Sequence, residues 1–333
     1  MSHLAVLGAG SWGTTFSKVL ADHGSDVVVW ARRAEVAREI NETNRNSDYL
    51  RGINLPESIR ATTSITEALA GAEQVYWSVP SQTLRLNLEA AKEAFPDGAI
   101  HVSLMKGVEA GTGLRMSQVL EQVGGIDPHA IAVLSGPNLA LEIAKGQPTA
   151  AVASSIHPPT AAAVAQTAQT HYFRTFVNYD VVGTEFGGVL KNLIAVAVGI
   201  ADGVGYGENT KASIITRGLA EISAFAAAFG AEPHTMAGLA GLGDLIATCE
   251  SPLSRNNTAG RLLGQGYGFA DVVRRMNQTA EGLQAVKPVL ELAASRGVSM
   301  PIVLQVGQVL DGTLDPRELA PHLATDSDEV LGE

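Results

Sequence analysis

The stretch that decides the fold is Leu4-Ala5-Val6-Leu7-Gly8-Ala9-Gly10-Ser11-Trp12-Gly13, followed by Thr14–His23. The apolar run predicts a buried strand, and the residues after the last glycine predict a helix. Gly8 permits a tight turn, Gly10 permits a close approach of backbone to a pyrophosphate, and Gly13 permits close packing of helix on strand. The pattern therefore predicts a dinucleotide-binding turn with the phosphates at the helix N-terminus. An ordinary glycine turn is the alternative.

The pattern of the rest of the chain divides it into two predicted domains. Further strand-like runs occur at Val27–Trp30, Gln74–Ser78, Ile100–Ser103, Ile131–Leu134, Thr149–Ala153 and Thr175–Val177. Helical segments alternate with these strands, which predicts an α/β, Rossmann-like, doubly wound and mostly parallel sheet over residues 1–182. From residue 183 only helical periodicity follows, broken by Gly or Pro, from a long segment at Gly183–Val204 to a short one at Asp315–Leu319. Residues 183–333 are therefore predicted to form an all-α domain.

Composition and charge exclude several classes of protein. With 23 Lys and Arg against 34 Asp and Glu, the formal charge is −11, which argues against nucleic acid and anionic membrane surfaces as partners. Cys249 is the only cysteine, so no intramolecular disulfide forms, which suits a reducing compartment. The longest uncharged apolar stretch, Leu193–Ala201, is far shorter than the roughly 20 residues that span a bilayer. We expect a cytoplasmic protein without stable membrane insertion.

The residues after the second predicted strand bear on the type of dinucleotide. An acid at this point would bind a ribose 2′-hydroxyl, but Val27–Trp30 is followed by Ala31-Arg32-Arg33. Because a guanidinium suits a 2′-phosphate, the pair predicts that NADP is accepted and favoured, alongside NAD. A solvated arginine pair on a loop is the alternative.

Two lysines stand out in a chain with few lysines. Lys106 lies just after the run 100–103, counted here as the fourth strand, and so at the carboxyl edge of the sheet where ligands bind. Lys191 is the only charge between Glu185 and Asp202. A helix this apolar should be buried, and a desolvated lysine is suited to general acid–base chemistry. A lysine that extends to solvent from a partly exposed helix is the alternative for each.

Two polar clusters follow in the helical half. The glycine-rich segment 237–243 is predicted to be a loop, after which Asp244 and Thr248 share one helix face. Ser254-Arg255-Asn256 opens another helix and predicts an anion site. A plain helix cap is the alternative for Asp244 and for Ser254. Glu281 lies in a polar turn that is predicted to cap the next helix. The eight histidines show neither the spacing of metal ligands nor the order of a catalytic triad, so no metal is expected.

Seven blocks of the chain, in order, match one known family. They are Gly8–Gly13, Val79-Pro80-Ser81, Leu104-Met105-Lys106-Gly107, Leu134-Ser135-Gly136-Pro137, Gly188-Val189-Leu190-Lys191-Asn192, Gly241-Leu242-Gly243-Asp244 and Ser254-Arg255-Asn256. Over nearly its whole length the chain resembles bacterial NAD(P)-dependent glycerol-3-phosphate dehydrogenase. The resemblance implies interconversion of sn-glycerol 3-phosphate and dihydroxyacetone phosphate, feeding glycerophospholipid synthesis. It also implies a helical domain like that of 6-phosphogluconate dehydrogenase, and a homodimer.

The resemblance also implies residue roles. It makes Lys191 the proton acceptor and places Lys106 against both cofactor and substrate. Other implied substrate positions are Gly136, Asp244, Ser254, Arg255 and Asn256. We also predict substrate contacts for Asn138, whose amide can form hydrogen bonds, and for Thr248, which shares a helix face with Asp244. Further implied cofactor positions are Ser11, Trp12, Arg32, Arg33, Ala140, Arg255, Thr279 and Glu281. Asn138 departs from the family pattern, which has Ser or Thr at this point.

Two other functions stay open at this stage. A related reductase acting on a β-hydroxyacid or ketopantoate-like substrate would share the two-domain plan, but its substrate carries a carboxylate in place of the phosphate. An NADP-binding regulator that has lost its chemistry would retain only the glycine turn. The joint presence of Lys106, Lys191, Asp244 and Arg255 argues against the regulator.

Overall fold

The computed structural model describes residues 3–276 and 280–319, and the chain forms two compact units. The first unit comprises Met1–Met105 and Leu114–Val181, and the second comprises Lys106–Gly113 and Val182–Glu333. A short segment from the first half of the chain therefore belongs to the second unit. The predicted domain boundary after residue 182 stays a prediction.

The first unit is built on one eight-stranded sheet. Its strands are β1 (His3–Leu7), β2 (Val27–Trp30), β3 (Ile59–Thr62), β4 (Ala72–Trp77), β5 (Ile100–Ser103), β6 (Ile131–Ser135), β7 (Thr149–Ser154) and β8 (Phe173–Asn178). The strand order is β3-β2-β1-β4-β5-β6-β7-β8, and only the β6–β7 pair is antiparallel. The order reverses between β1 and β4, which is where a doubly wound sheet binds its ligand. The predicted Rossmann-like, mostly parallel sheet is confirmed.

Helices of the first unit cover both faces of this sheet. They are α1 (Ser11–Asp22), α2 (Ala34–Thr43), α3 (Ile65–Leu69), α4 (Leu84–Ala91), α5 (Met116–Gly124), α6 (Ala140–Ala144) and α7 (Pro158–Thr167). Successive strand residues point to opposite faces. Tyr76 accordingly packs with Phe16 and Phe173 in one core, and Trp77 packs with Leu84 in the other.

Within the described residues the second unit is helical, apart from the segment 106–113 and the turns between the helices. Its helices are α8 (Val181–Val204), α9 (Glu208–Ala228), α10 (Pro233–Met236), α11 (Asp244–Glu250), α12 (Arg255–Gly264), α13 (Phe269–Arg275), α14 (Glu281–Ser295) and α15 (Pro301–Leu310). Helix α8 is the one described helix long and apolar enough to cross a membrane, but 94% of its most apolar window is buried. It forms the centre of a hydrophobic core with α9, α14 and α15.

Four details of the sequence prediction were wrong. Strand β3 was missed, so Lys106 follows the fifth strand of the chain and not the fourth. Helix α10 was also missed. The glycine-rich segment predicted as a loop contains a turn of π-helix, Leu239–Gly243, that runs directly into α11. The short helix predicted at 315–319 is a single 3₁₀ turn, Pro316–Glu318.

Candidate active site

The glycine turn of the first unit joins β1 to α1. Gly8 has φ +125°, and a Cβ there would clash with the carbonyl of Ser78. A Cβ at Gly13 would clash with the carbonyl of Gly8. Both positions therefore require glycine. A Cβ at Gly10, by contrast, would meet no atom within 4 Å, so the middle of the turn is open to a ligand.

Polar groups around this turn fit a bound dinucleotide. Trp12 Nε1, in the first turn of α1, is buried and has no hydrogen-bond partner among residues 3–276 and 280–319. Asn46, which is fully buried, donates from Nδ2 to the carbonyl of Ala9 (2.9 Å) and to Thr14 Oγ1 (2.8 Å). Ser11 Oγ donates to the carbonyl of Tyr49 (3.4 Å). Sequence reasoning missed Asn46, because nothing in its loop marks a contact to a turn nearly forty residues away.

The two arginines after β2 differ in their surroundings. Arg32 is exposed and forms no ion pair with any described residue. Arg33 Nη2 lies 2.7 Å from Asp48 Oδ2, and Arg33 Nη1 lies 3.6 Å from Glu35 Oε1. The guanidinium of Arg33 also lies over the ring of Tyr49, 5.6 Å from its centroid. Arg33 is thus engaged by protein acids, whereas Arg32 faces solvent.

The remaining site residues of the first unit lie around the end of β6. Gly136 has φ +137°, and a Cβ there would be 3.1 Å from Ala151 Cα. Both amide atoms of Asn138 are buried and lack a hydrogen-bond partner within the described part of the chain. The first residue of α6, Ala140, accepts at its carbonyl a hydrogen bond from Thr15 Oγ1 on α1 (3.2 Å). Asn138 therefore has an amide with hydrogen-bonding capacity to spare.

In the second unit, Lys106 and Lys191 both contact the carboxylate of Asp244. Lys191 on α8 is only 6% exposed, and Asp244 on α11 is 1% exposed. Lys191 Nζ donates to Asp244 Oδ1 and to Thr248 Oγ1 (2.7 Å). Lys106 Nζ donates to Asp244 Oδ2 (2.6 Å). The Thr248 hydroxyl in turn donates to the carbonyl of Asp244 (2.6 Å). Two ammonium groups thus share one buried carboxylate.

This arrangement tunes the buried amine. The pKa of Lys191 is lowered to about 8, chiefly because the amine is buried; the carboxylate of Asp244 opposes this shift, and the nearby cation Lys106 contributes to it. A lysine with this pKa is populated in both protonation states near neutral pH. It can therefore both donate and accept a proton.

The predicted anion site lies at the start of α12. Ser254 is the N-cap, and its Oγ accepts from the backbone N–H of Asn257 (3.2 Å). Arg255 is exposed. The buried amide of Asn256 donates to Asn192 Oδ1 (2.8 Å) and accepts from the N–H of Gly282 (3.0 Å). The cap interpretation thus holds for the Ser254 side chain, and the exposed Arg255 follows it as the first residue of α12.

Helix α14 begins beside these charges. Its first residue is Glu281, and burial raises the pKa of that carboxyl, although the cations Arg255, Lys106 and Lys191 lower it. Thr279, predicted to contact the cofactor, lies outside the described residues. Asn192, the neighbour of Lys191, connects α8 to Asn256 and was not predicted as a site residue.

Comparison with known proteins identifies the family. The family model described as the N-terminus of NAD-dependent glycerol-3-phosphate dehydrogenase matches residues 3–161, and that for the C-terminus matches residues 180–321. The chain belongs to this family. A relative named glycerol-3-phosphate dehydrogenase [NAD(P)+], from Leifsonia xyli subsp. xyli, is 70% identical over 98% of this chain and 89% of its own length. One from Thermobifida fusca with the same name is 51% identical over 96% and 95%.

Solved structures agree with this family. The crystal structure of glycerol-3-phosphate dehydrogenase from Coxiella burnetii matches with a TM-score of 0.91 and 33% identity, covering 96% of this chain and 98% of the other. A ketopantoate reductase from Ralstonia eutropha matches with a TM-score of 0.59 and 16% identity, covering 94% and 99%. The second likeness shows a shared fold alone. Glycerol-3-phosphate dehydrogenase is therefore the family, and the reductase alternative is set aside.

Proposed function

We propose that Lys191 is the acid–base group of an oxidoreductase that interconverts sn-glycerol 3-phosphate and dihydroxyacetone phosphate with NAD(P). Membership of the glycerol-3-phosphate dehydrogenase family supplies the reaction. The observation that carries the residue assignment is the buried Lys191 amine, hydrogen-bonded to the carboxylate that Lys106 also contacts.

The proton chemistry follows from this arrangement. When bound, the nicotinamide accepts a hydride from the secondary alcohol or returns one to the ketone. During oxidation the neutral amine of Lys191 takes the hydroxyl proton, and during reduction its ammonium form protonates the developing alkoxide. Lys106 adds positive charge that stabilises the alkoxide and favours the neutral form of Lys191. Asp244 and Thr248 hold the amine in place.

Arg255 and the N-terminus of α12 are suited to the substrate phosphate. The helix presents backbone N–H groups, and Arg255 adds a full positive charge at the same end. Ser254 and Asn256 shape this end through hydrogen bonds to the protein. Gly136 and Asn138 of the first unit stay predicted substrate positions. The amide of Asn138, which has no hydrogen-bond partner among the described residues, can hydrogen-bond a hydroxyl as the usual Ser or Thr would.

The glycine turn is assigned to the dinucleotide. Gly8, Gly10 and Gly13 shape the turn, Ser11 and Trp12 open α1, and Ala140 begins the helix beside it. Arg32 and Arg33 are assigned to the adenosine end, where they make NADP acceptable alongside NAD. Lys106, Arg255 and Glu281 of the second unit, together with Thr279, stay predicted cofactor positions.

The cellular context is part of the same proposal. We assign the chain to the cytoplasm as a homodimer that supplies glycerol 3-phosphate for glycerophospholipid synthesis. A net charge of −11 and a single cysteine, which is buried, support an enzyme of small-molecule substrates in a reducing compartment.

Turnover of a Lys191→Ala variant tests the assignment. The wild-type chain should oxidise NADPH when dihydroxyacetone phosphate is added, seen as loss of the nicotinamide absorbance. Lys191→Ala should lose roughly 10²- to 10⁴-fold in kcat, because general acid catalysis is removed. Lys287→Ala, which removes an exposed lysine on α14, should retain wild-type turnover.

Calorimetric titration with NADPH separates chemistry from folding. The Lys191→Ala variant should bind NADPH with wild-type affinity, because its glycine turn is intact. Near-normal turnover by this variant would remove Lys191 from the mechanism. A wild-type chain that oxidised no NADPH would contradict the proposed reaction.

A further inference from the structure

The fold supplies an acid at a place where the local sequence has none. In a dinucleotide-binding sheet, an acid at the end of the second strand binds the ribose 2′-hydroxyl, but here β2 is followed by Arg32 and Arg33. The carboxylate of Asp48, from the segment after α2, lies 2.7 Å from Arg33 Nη2. Asp48 follows Arg33 by fifteen residues, so the residues at the end of β2 do not indicate it.

The position of Asp48 is fixed by its neighbours. Asn46, two residues before it, is fully buried and donates to the Ala9 carbonyl of the glycine turn. Tyr49, directly after it, accepts a hydrogen bond from Ser11 at its carbonyl and lies under the Arg33 guanidinium. The segment is therefore attached to the dinucleotide turn on both sides of Asp48, which makes the carboxylate part of the same site.

An acid beside an arginine has opposite effects on the two coenzymes. A ribose 2′-hydroxyl can donate a hydrogen bond to a carboxylate, which favours NAD. A 2′-phosphate carries negative charge, so the same carboxylate repels it and also competes with it for Arg33. Arg32 faces solvent without an ion pair to any described residue, and it is the guanidinium left for the phosphate.

We propose that Asp48 is a specificity-determining residue that keeps NAD acceptable and limits the preference for NADP. This inference rests on the dinucleotide site of the proposed function. Arg33 then acts mainly as the partner that orients Asp48, and Arg32 as the contact for a 2′-phosphate. Arg32, which pairs with no acid in the described part of the chain, favours a 2′-phosphate, and Asp48 favours a 2′-hydroxyl, so the site is suited to both coenzymes.

An Asp48→Asn variant tests this proposal through binding, without any turnover. NADPH and NADH are titrated separately by calorimetry in the absence of the triose phosphate. NADPH should bind about two- to fivefold more tightly and NADH about two- to fivefold more weakly, the size expected for an exposed charge. Because the Arg33–Asp48 pair is partly exposed, the variant should melt within a few degrees of wild type.

Glu35→Gln is the matched control. It removes a carboxylate that contacts the same arginine at the longer distance of 3.6 Å. We expect it to change NADPH affinity by less than about twofold and to leave NADH affinity unchanged. Affinities in Asp48→Asn that both move in one direction, or that match those of Glu35→Gln, would overturn the specificity role.

The wild-type titration distinguishes failure of this inference from failure of the dinucleotide site. If wild type binds both coenzymes and Asp48→Asn leaves the ratio of dissociation constants unchanged, only the role of Asp48 is wrong. If wild type binds neither coenzyme, the dinucleotide site itself is wrong and the inference is overturned with it.

Discussion

At the scale of single residues, Lys191 shows how much of a catalytic role can be predicted from the sequence. Its isolation in an apolar segment between Glu185 and Asp202 predicts a buried amine. The net shift of its pKa depends on partners that are distant in the chain, because Asp244 raises it and Lys106 lowers it. Residue types therefore indicate a proton-transfer group, whereas the pH at which it works depends on the fold.

The pH dependence of turnover follows from the same three charges. Oxidation needs the neutral amine, so its kcat should rise with pH through about 8, and reduction should fall over the same range. Asp244→Asn removes the group that raises the pKa of Lys191, and should move the oxidation profile about one unit to lower pH. Lys106→Gln removes a repelling cation and should move the profile to higher pH.

Profiles of kcat against pH for the three proteins check this prediction. Opposite displacements in the two variants are expected, even though both also lose rate. Displacements in the same direction would show that the titration belongs to another group. An unshifted profile in both would show that the buried cluster does not control the proton transfer.

At the scale of elements, glycines determine how closely two helices of the second unit approach. Gly199 and Gly203 on α8 face Gly260 and Gly264 on α12, and a Cβ at any of the four would clash with a backbone carbonyl of the opposite helix. The glycines of α8 thus let the backbone of α12 come close. This contact positions the start of α12, where Arg255 lies, relative to the helix that carries Lys191.

Gly260→Ala should therefore be costly for folding. The added methyl group would meet the carbonyl of Val196, and we expect a loss of about 3 kcal/mol in the free energy of unfolding, since the two backbones must move apart. Gly207→Ala is the control, because its added Cβ would meet no atom within 4 Å. Gly207 is the N-cap of α9, so replacing it with Ala should lower the free energy of unfolding by only about 1 kcal/mol. Urea unfolding measures both, and equal losses would contradict the close-packing explanation.

Elements were predictable where one chemical signal dominated, and missed where it did not. The central strands are continuous apolar runs, so sequence alone placed seven of the eight strands. Strand β3, Ile59-Arg60-Ala61-Thr62, lies at the sheet edge and has only two apolar residues, which alternate with exposed or half-buried ones. The π-helical turn Leu239–Gly243 was missed because glycines usually indicate a loop.

At the scale of the whole molecule, the sequence predicted a sheet-containing domain followed by a helical one, but not that a segment of the first half of the chain belongs to the helical unit. Lys106–Gly113 belongs to the second unit, while the residues on both sides of it belong to the first. The segment brings Lys106 to Asp244 and places the buried Val108 in the helical core. A pattern read along the chain cannot show this, because the pairing spans more than a hundred residues.

This connectivity predicts that the two units unfold together. Once the first unit unfolds, holding 106–113 in the second would require closing a long, flexible loop over Leu114–Val181, which costs entropy. Val108→Ala should lower the free energy of unfolding by about 2 kcal/mol, because it empties part of the helical core.

Trp12, Trp30 and Trp77 all lie in the first unit, so their fluorescence reports on it, while far-UV circular dichroism reports chiefly on the helices. Both signals should shift to the same lower urea midpoint in the variant. A tryptophan midpoint that stays at the wild-type value while the dichroism midpoint falls would show that the units unfold independently despite the shared segment.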